Sequence, residues 1–413
     1  MTRQLRSVAA ILVSTVIFLI GNGLLGTLIP VRAHLAGFSD FAIGLIGSSY
    51  FVGFVVGCYA GPRMLARAGH SRTFAAAAGA AAATTLMLPL MASEISWIVL
   101  RGFFGVAAAG LYMVIESWLN DRATNETRGR IFAAYLLVNF GGLIIGQLLF
   151  VAGKVTSYSL FSFAAIFYSL CLIPVGLTRT PQPARADVPT LDPIKIFRIS
   201  PVGVAGCVAV GFANAAVWTF APVYAQDHGF TRGLLALFMA TFTLGGALSQ
   251  MPIGRLSDHM DRRYVIVATT FLAACAGVAL YLFGGDNRLL TFALVAIFGT
   301  VTLPLYGLSV AHANDRLPRE MFVEASATLL MINAVASMFG PVIAALVTAR
   351  AGMASLFLYT AAIHVAICIF TLVRLGAQSE ASSELREPYE PMPPQASPTA
   401  LELDPRSSEH APQ

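Results

Sequence analysis

The chain has 413 residues, of which 57% are apolar and 11% charged, with a mean hydropathy of +0.73. Soluble domains carry about 25% charged residues, so these values exclude an ordinary water-soluble fold and overrule the two or three soluble domains that length alone suggests. The net charge of +5 and five cysteines raise two further classes, a nucleic-acid binder and a metal or disulfide scaffold. The cysteines (Cys58, Cys171, Cys207, Cys275, Cys368) all lie in apolar runs without metal-like spacing, and read as buried small hydrophobes.

A membrane-spanning helix needs about 20 mostly apolar residues. Twelve runs qualify: 8–30, 43–62, 74–92, 96–118, 131–152, 158–177, 202–224, 233–253, 264–284, 289–311, 322–348 and 353–375. The start MTRQLR with the first run imitates a signal peptide, but the run exceeds an apolar segment of roughly 7–15 residues and no small-x-small cleavage site ends it. The predicted fold class is therefore an all-α membrane protein of 12 transmembrane helices. Assigning loops alternately puts eighteen Lys and Arg on one side, among them Arg63, Arg67, Arg122, Arg130, Arg255 and Arg316, and five on the other. That bias predicts cytoplasmic N and C termini and accounts for the net charge without nucleic acid. Residues 178–200 are polar and Pro-rich, a predicted cytoplasmic linker between six-helix halves at 1–177 and 201–375. Residues 376–413 hold seven prolines and seven acidic side chains against two arginines, the composition of a disordered tail.

The halves repeat each other. At a shift of 192 residues GNGLLGTLIPVRA (21–33) falls on ANAAVWTFAPVYA (213–225), matching Asn22 to Asn214, Thr27 to Thr219 and Pro30 to Pro222. The same shift carries Gly37-Phe38 onto Gly229-Phe230 and Gly53 onto Gly245. At 194, GLYMVIESWLNDR (110–122) falls on PLYGLSVAHANDR (304–316), while Asn139 and Gly146 meet Asn333 and Gly340. The order and near-constant spacing point to duplication. Two parallel six-span repeats are the organisation of large rocking transporters.

The stretch GRLSDHMDRR (254–263) resembles the loop pattern G-x-L-x-D-R-x-G-R-R of the major facilitator superfamily (MFS). In that pattern Gly254 permits close helix approach and Asp258 caps or latches. The first-half copy, GPRMLARAGHSR (61–72), follows a ladder of Gly53, Gly57 and Gly61 suited to tight helix packing, and it keeps Arg67 but has Ala66 at the aspartate position. RGFFGVAAA (101–109) resembles the family's R-x-x-x-G-x-A pattern. These resemblances cover about residues 8–375, and ESWLNDR and LYGLSVAHANDR resemble its bacterial YcaD-like branch, which implies no particular substrate. The resemblance implies secondary transport of a small molecule by alternating access, with protons as the coupling ion. It also implies a cavity lined by spans 1, 4, 7 and 10.

On a 100° wheel with Arg101 at zero, Gly105, Ala108, Tyr112 and Glu116 fall within about 60° of it. Such a stripe suits a cavity wall. The implied cavity lining gives Asn22, Arg101, Tyr112, Asn214, Trp218 and Tyr306 as candidate substrate residues, the alternative being plain interhelical hydrogen bonds at about 0.6 kcal/mol each. Arg101 and Glu116 are fifteen residues, or ~22 Å, apart and cannot pair. Arg101 reads as a coupling or anion-attracting cation, or as a snorkelling one. Glu116 reads as a cytoplasmic latch to Arg67, Arg122 or Arg130, as a protonatable coupling residue, or as a solvated helix end. Candidate coupling or gating residues are thus Arg101, Glu116, Arg67 and Asp258. Gln147, Gln250, His312 and Glu324 are weaker candidates. No phosphate loop, metal-ligand cluster or nucleophile set appears, so no enzyme activity, metal or cofactor is expected. The expected protein is a monomer in the lipid bilayer of a bacterial inner membrane, moving a drug-like amphipath or a small organic anion. The alternative is a transport-dead membrane sensor that signals through its tail.

Overall fold

The computed structural model describes residues 3–124, 126–177, 191–318, 321–377, 389–393 and 395–403. Among them every regular element is helical, and twelve stretches are long and apolar enough to cross a membrane. The first half holds α1 (Arg3–Leu35), α2 (Asp40–Ala68), α3 (His70–Leu90), α4 (Glu94–Arg122), α5 (Arg128–Leu148), α6 (Ser159–Leu170) and α7 (Leu172–Gly176). After the short α8 (Pro193–Ile199) come α9 (Pro201–Asp227), α10 (Arg232–His259), α11 (Arg262–Phe283), α12 (Arg288–Thr302), α13 (Leu305–Asn314), α14 (Phe322–Ala351) and α15 (Ser355–Ala377). The sixth apolar run is split into α6 and α7, and the tenth into α12 and α13, where Pro304 has no N–H to continue the helix. The corresponding position in the first half is Gly110, and α4 runs through it unbroken.

The ends follow local chemistry. Ser93, Thr231, Asn287 and Asp261 accept from backbone N–H groups in the first turns of α4, α10, α12 and α11. Gly37 and Gly229, equivalent in the repeat, adopt φ of 78° and 68°. In both copies the following phenylalanine N–H returns to an alanine carbonyl, Phe38 to Ala33 and Phe230 to Ala225, closing the helix end the same way.

The chain divides into two compact units, Met1–Phe38 with Ser49–Pro189 and Pro393–Gln413, and Ser39–Ser48 with Thr190–Met392. In the first, α1 packs along α5 and α6, and α3 along α4 and α6. In the second, α9 packs along α14, α13 and α15, and α11 along α15 and α12. The same close approaches recur in each. A Cβ on Gly146 would stand 2.1 Å from the Ile20 carbonyl, and one on the equivalent Gly340 would stand 2.4 Å from Phe212, the equivalent of Ile20. Only glycine allows the two backbones this near. Large apolar side chains such as Leu137 (76% exposed) and Leu248 (69% exposed) lie on outer faces, as a helix against hydrocarbon requires.

One expectation is corrected. Cys275 is exposed, unlike the other four cysteines, because it faces outward on α11. Within the linker, Pro193–Ile199 is helical, capped by Asp192 and buried through Ile196; residues 178–190 lie outside the described residues. Within the tail, Tyr389–Met392 belong to the second unit, and Pro393 with 395–403 to the first. The stretch PMPPQASPTA (391–400) has no ionisable side chain and four prolines, so little charge or chain entropy opposes its burial. Residues 378–388, 394 and 404–413 lie outside the described residues.

Candidate functional site

Helix α4 supplies the stripe. At Gly105 a Cβ would stand 2.1 Å from the Tyr50 carbonyl, so the glycine lets α2 close on α4 and delivers the Tyr50 ring to Arg101. The Arg101 guanidinium carbon stands 4.7 Å from the Tyr50 ring centroid and 4.9 Å from that of Phe104, a cation held on two aromatic faces. Its Nε and Nη1 are buried and have no hydrogen-bond partner among the described residues. A buried cation without an acceptor is costly, and the geometry leaves these two nitrogens open to one. Arg101 therefore does not snorkel outward.

Next to it, three donors converge. Asn22 Nδ2 at 3.3 Å, Tyr50 Oη at 2.8 Å and Tyr112 Oη at 3.3 Å all donate to one oxygen, Oε1 of Gln395. Tyr112 is fully buried and packs edge-on against Phe18 at 5.2 Å, which fixes its hydroxyl. Asn22 and Tyr112, both candidate cavity residues, thus meet at one acceptor. Tyr50 is an addition.

One turn further along α4, Glu116 is fully buried. It accepts from Tyr135 Oη at 2.7 Å, from the Ser397 N–H at 3.0 and 3.2 Å, from the Ser397 hydroxyl, and from Thr399 Oγ1 at 3.4 Å. Neither Arg67, which is exposed, nor Arg122 or Arg130 is its partner among the described residues. The expected latch is corrected for a plain reason. Helix α4 continues six residues past Glu116 to Arg122, and Trp118 and Leu119 beyond it are buried, so the carboxylate is inside the protein and not at its edge.

The second unit carries a different arrangement. Asn214 Oδ1 and Tyr306 Oη are buried without a partner among the described residues, and Trp218 packs edge-on against Phe242 at 5.2 Å. Asp258 is tied into a charged cluster. Arg262, almost wholly buried, donates to Asp315 Oδ2 at 2.7 Å, Asp258 Oδ1 at 3.0 Å and Ser257 Oγ at 2.7 Å. Asp258 Oδ1 also accepts the Tyr389 N–H at 2.8 Å, while Tyr389 Oη donates to Gln250 at 2.6 Å. Asp261 caps α11 and accepts three side-chain bonds from Arg263, the shortest 2.7 Å. Partial burial pushes the Asp261 carboxyl up, but the hydrogen bonds and charge of Arg263 outweigh it and hold the group below the ordinary carboxylate value.

Twelve apolar helices in two like-packed halves, a charged cluster on the loop glycine motif and a buried polar stripe on α4 coincide with one family over most of the chain. The sequence profile of the Major Facilitator Superfamily matches residues 11–320 and 205–406. The chain belongs to this superfamily. This MFS protein is 26% identical over 378 residues to the uncharacterized MFS-type transporter YcaD of Escherichia coli, covering 91% of this chain and 98% of that one. Among solved structures it is similar to a bacterial homologue of the human lysosomal transporter Spinster in an inward-facing, occupied conformation. That likeness has a TM-score of 0.76 at 16% identity, over 92% and 97% of the two chains. It is also similar to the nucleoside transporter NupG, with a TM-score of 0.74 at 13% identity over 91% and 99%. At these identities the structures establish the shared fold, that of a multi-pass membrane transporter.

Four polar residues of the MFS stripe and its surroundings have apolar equivalents in the second half. Tyr50, Arg101, Glu116 and Tyr135 correspond to Phe242, Val295, Val310 and Leu329 at the repeat shifts. Comparing the two copies position by position is the signal that finds Tyr50 and Tyr135, which reading for charge alone passes over.

Proposed function

We propose that the protein is a secondary active transporter that carries a small organic anion through its N-terminal polar site by alternating access, with protons as the coupling ion. The observation that carries this reading is the Arg101 guanidinium. Two of its N–H-bearing atoms are buried and have no partner among the described residues, beside three donors aimed at a single oxygen. A carboxylate accepts from a guanidinium and from neighbouring hydroxyls at once, and such charge-assisted bonds are about twice as strong as neutral ones. A drug-like amphipath without an acceptor would leave both Arg101 atoms unpaired, so the anion is the better fit.

Glu116 is the one buried carboxylate among the described residues of the first unit. We assign it the coupled proton, exchanged through the Tyr135 hydroxyl. The sided distribution of Lys and Arg supports cytoplasmic termini, and the likeness to a bacterial YcaD favours a bacterial inner membrane. The protein is taken to work as a monomer, the site being built from one chain.

The test is uptake by proteoliposomes of a panel of small mono- and dicarboxylates, with and without an imposed pH gradient. Arg101→Gln should lower kcat/KM for the transported acid by about 100-fold, the worth of roughly 2–3 kcal/mol of charged hydrogen bonding. Glu116→Gln should remove the response to the gradient. Wild-type flux and pH response in both variants would overturn the assignment.

A further inference from the structure

The transporter reading leaves the tail unused, yet its described stretch fills the site that reading depends on. Gln395 brings a neutral amide oxygen to Asn22, Tyr50 and Tyr112. Two residues on, Ser397 gives Glu116 both its N–H and its hydroxyl, and Thr399 adds a third donor. Ala396, Ser397 and Ala400 are buried, and the 3-10 turn Pro398–Leu403 packs on α4 and α5. These contacts pair acceptor with donor at both ends, as a bound molecule does. Arg101 alone is left out, because an amide oxygen carries no charge and Gln395 does not reach it.

We infer that residues 395–399 are a tethered ligand of the N-terminal site, and that the solute they displace is a short peptide or N-acylated amino acid. This rests on reading that half as the transport site, and it narrows the organic anion proposed there. A molecule of this class has a carboxylate for the Asn22–Tyr50–Tyr112 seat and for Arg101. It also has an amide N–H or hydroxyl within reach of Glu116. The tail matches the second feature and lacks the first, so an external ligand with a carboxylate gains contacts that the tail does not make.

A tethered occupant competes at an effective concentration in the millimolar range. Where that concentration is about ten times the segment's own dissociation constant, the apparent KM of any competing solute rises by about tenfold.

The experiment uses the full chain and the full-length double variant Gln395→Ala/Ser397→Ala, with the tripeptide Gln-Ala-Ser as probe. Hydrogen exchange at Ala396–Ala400 should be at least about tenfold slower in the wild type than in the variant. Millimolar tripeptide should abolish that protection, and tripeptide uptake into proteoliposomes should show a KM about tenfold lower in the variant. Equal exchange in the two chains overturns the docking. Protection that the tripeptide does not relieve, with equal KM values, makes the tail a structural strap and overturns its role as ligand. Relief of protection with no flux of any solute in either chain upholds the tethered ligand and refutes the transport reading instead.

Discussion

Asp315→Ala should be the most damaging single change in the charged cluster of the second unit. Its side chain is 4% exposed and meets the Arg262 guanidinium, itself 1% exposed, at 2.7 Å. Removing one member of a buried pair typically costs ~3–5 kcal/mol, because the other charge stays buried without compensation. Arg262 retains Asp258 at 3.0 Å and Ser257 at 2.7 Å, which places the loss near the lower end, ~3 kcal/mol. Asp258 is 28% exposed, so Asp258→Ala should cost only about 1 kcal/mol. For a unit of this size each kcal/mol moves the thermal midpoint by about 2–4 °C. In detergent at a fixed scan rate, Asp315→Ala should therefore melt roughly 6–12 °C below the wild type and Asp258→Ala roughly 2–4 °C below. If the loss comes from an uncompensated charge, Arg262→Met with Asp315→Leu should recover most of it, since apolar replacement of a buried pair is often neutral. Equal shifts for the two aspartate variants, or a double variant no better than Asp315→Ala, would refute the reasoning.

Two further outcomes test other levels of the structure. Gly105→Ala places a Cβ 2.1 Å from the Tyr50 carbonyl, so α2 and α4 must part; the thermal midpoint should fall, as overpacking costs about 1–3 kcal/mol, and uptake by the folded protein should fall by at least about tenfold, because the shift misplaces Tyr50 over Arg101. Asp261 has a depressed folded value, so its stabilising contribution is full above the unfolded carboxylate value and is lost as pH falls through the folded one. Asp261→Asn should therefore melt below the wild type at pH 7, with the gap closing below about pH 4; a gap that stays constant with pH would rule this out.

What the sequence made legible is what periodicity and duplication encode. The twelve spans, the glycine contacts and the Asn22–Tyr112 seat all depend on local pattern or on a motif seen twice, and each can be read without knowing what packs against it. Glu116 shows where that reading stops. Its depth was judged from the apolar run, which ends at 118, whereas the helix runs to Arg122, and its partner Tyr135 lies on α5. The tail shows the same limit more severely. Gln395 meets Asn22 across 373 residues of sequence, and no composition rule anticipates that an acidic, Pro-rich segment contains an uncharged core that binds.

The asymmetry between the halves explains why the site is built where it is. In a membrane helix each polar side chain is an expense that packing alone does not require, and the second half does without four of them by using Phe242, Val295, Val310 and Leu329. The helix contacts are nevertheless preserved. Gly299 approaches the Phe242 carbonyl as Gly105 approaches that of Tyr50, each with a Cβ position 2.1 Å away. The scaffold therefore does not call for Tyr50, Arg101, Glu116 or Tyr135, since an equivalent scaffold stands with apolar side chains in their places. Their presence in one copy, gathered around Asn22 and Tyr112, is what the proposed ligand, with an acceptor at one end and a donor at the other, would require.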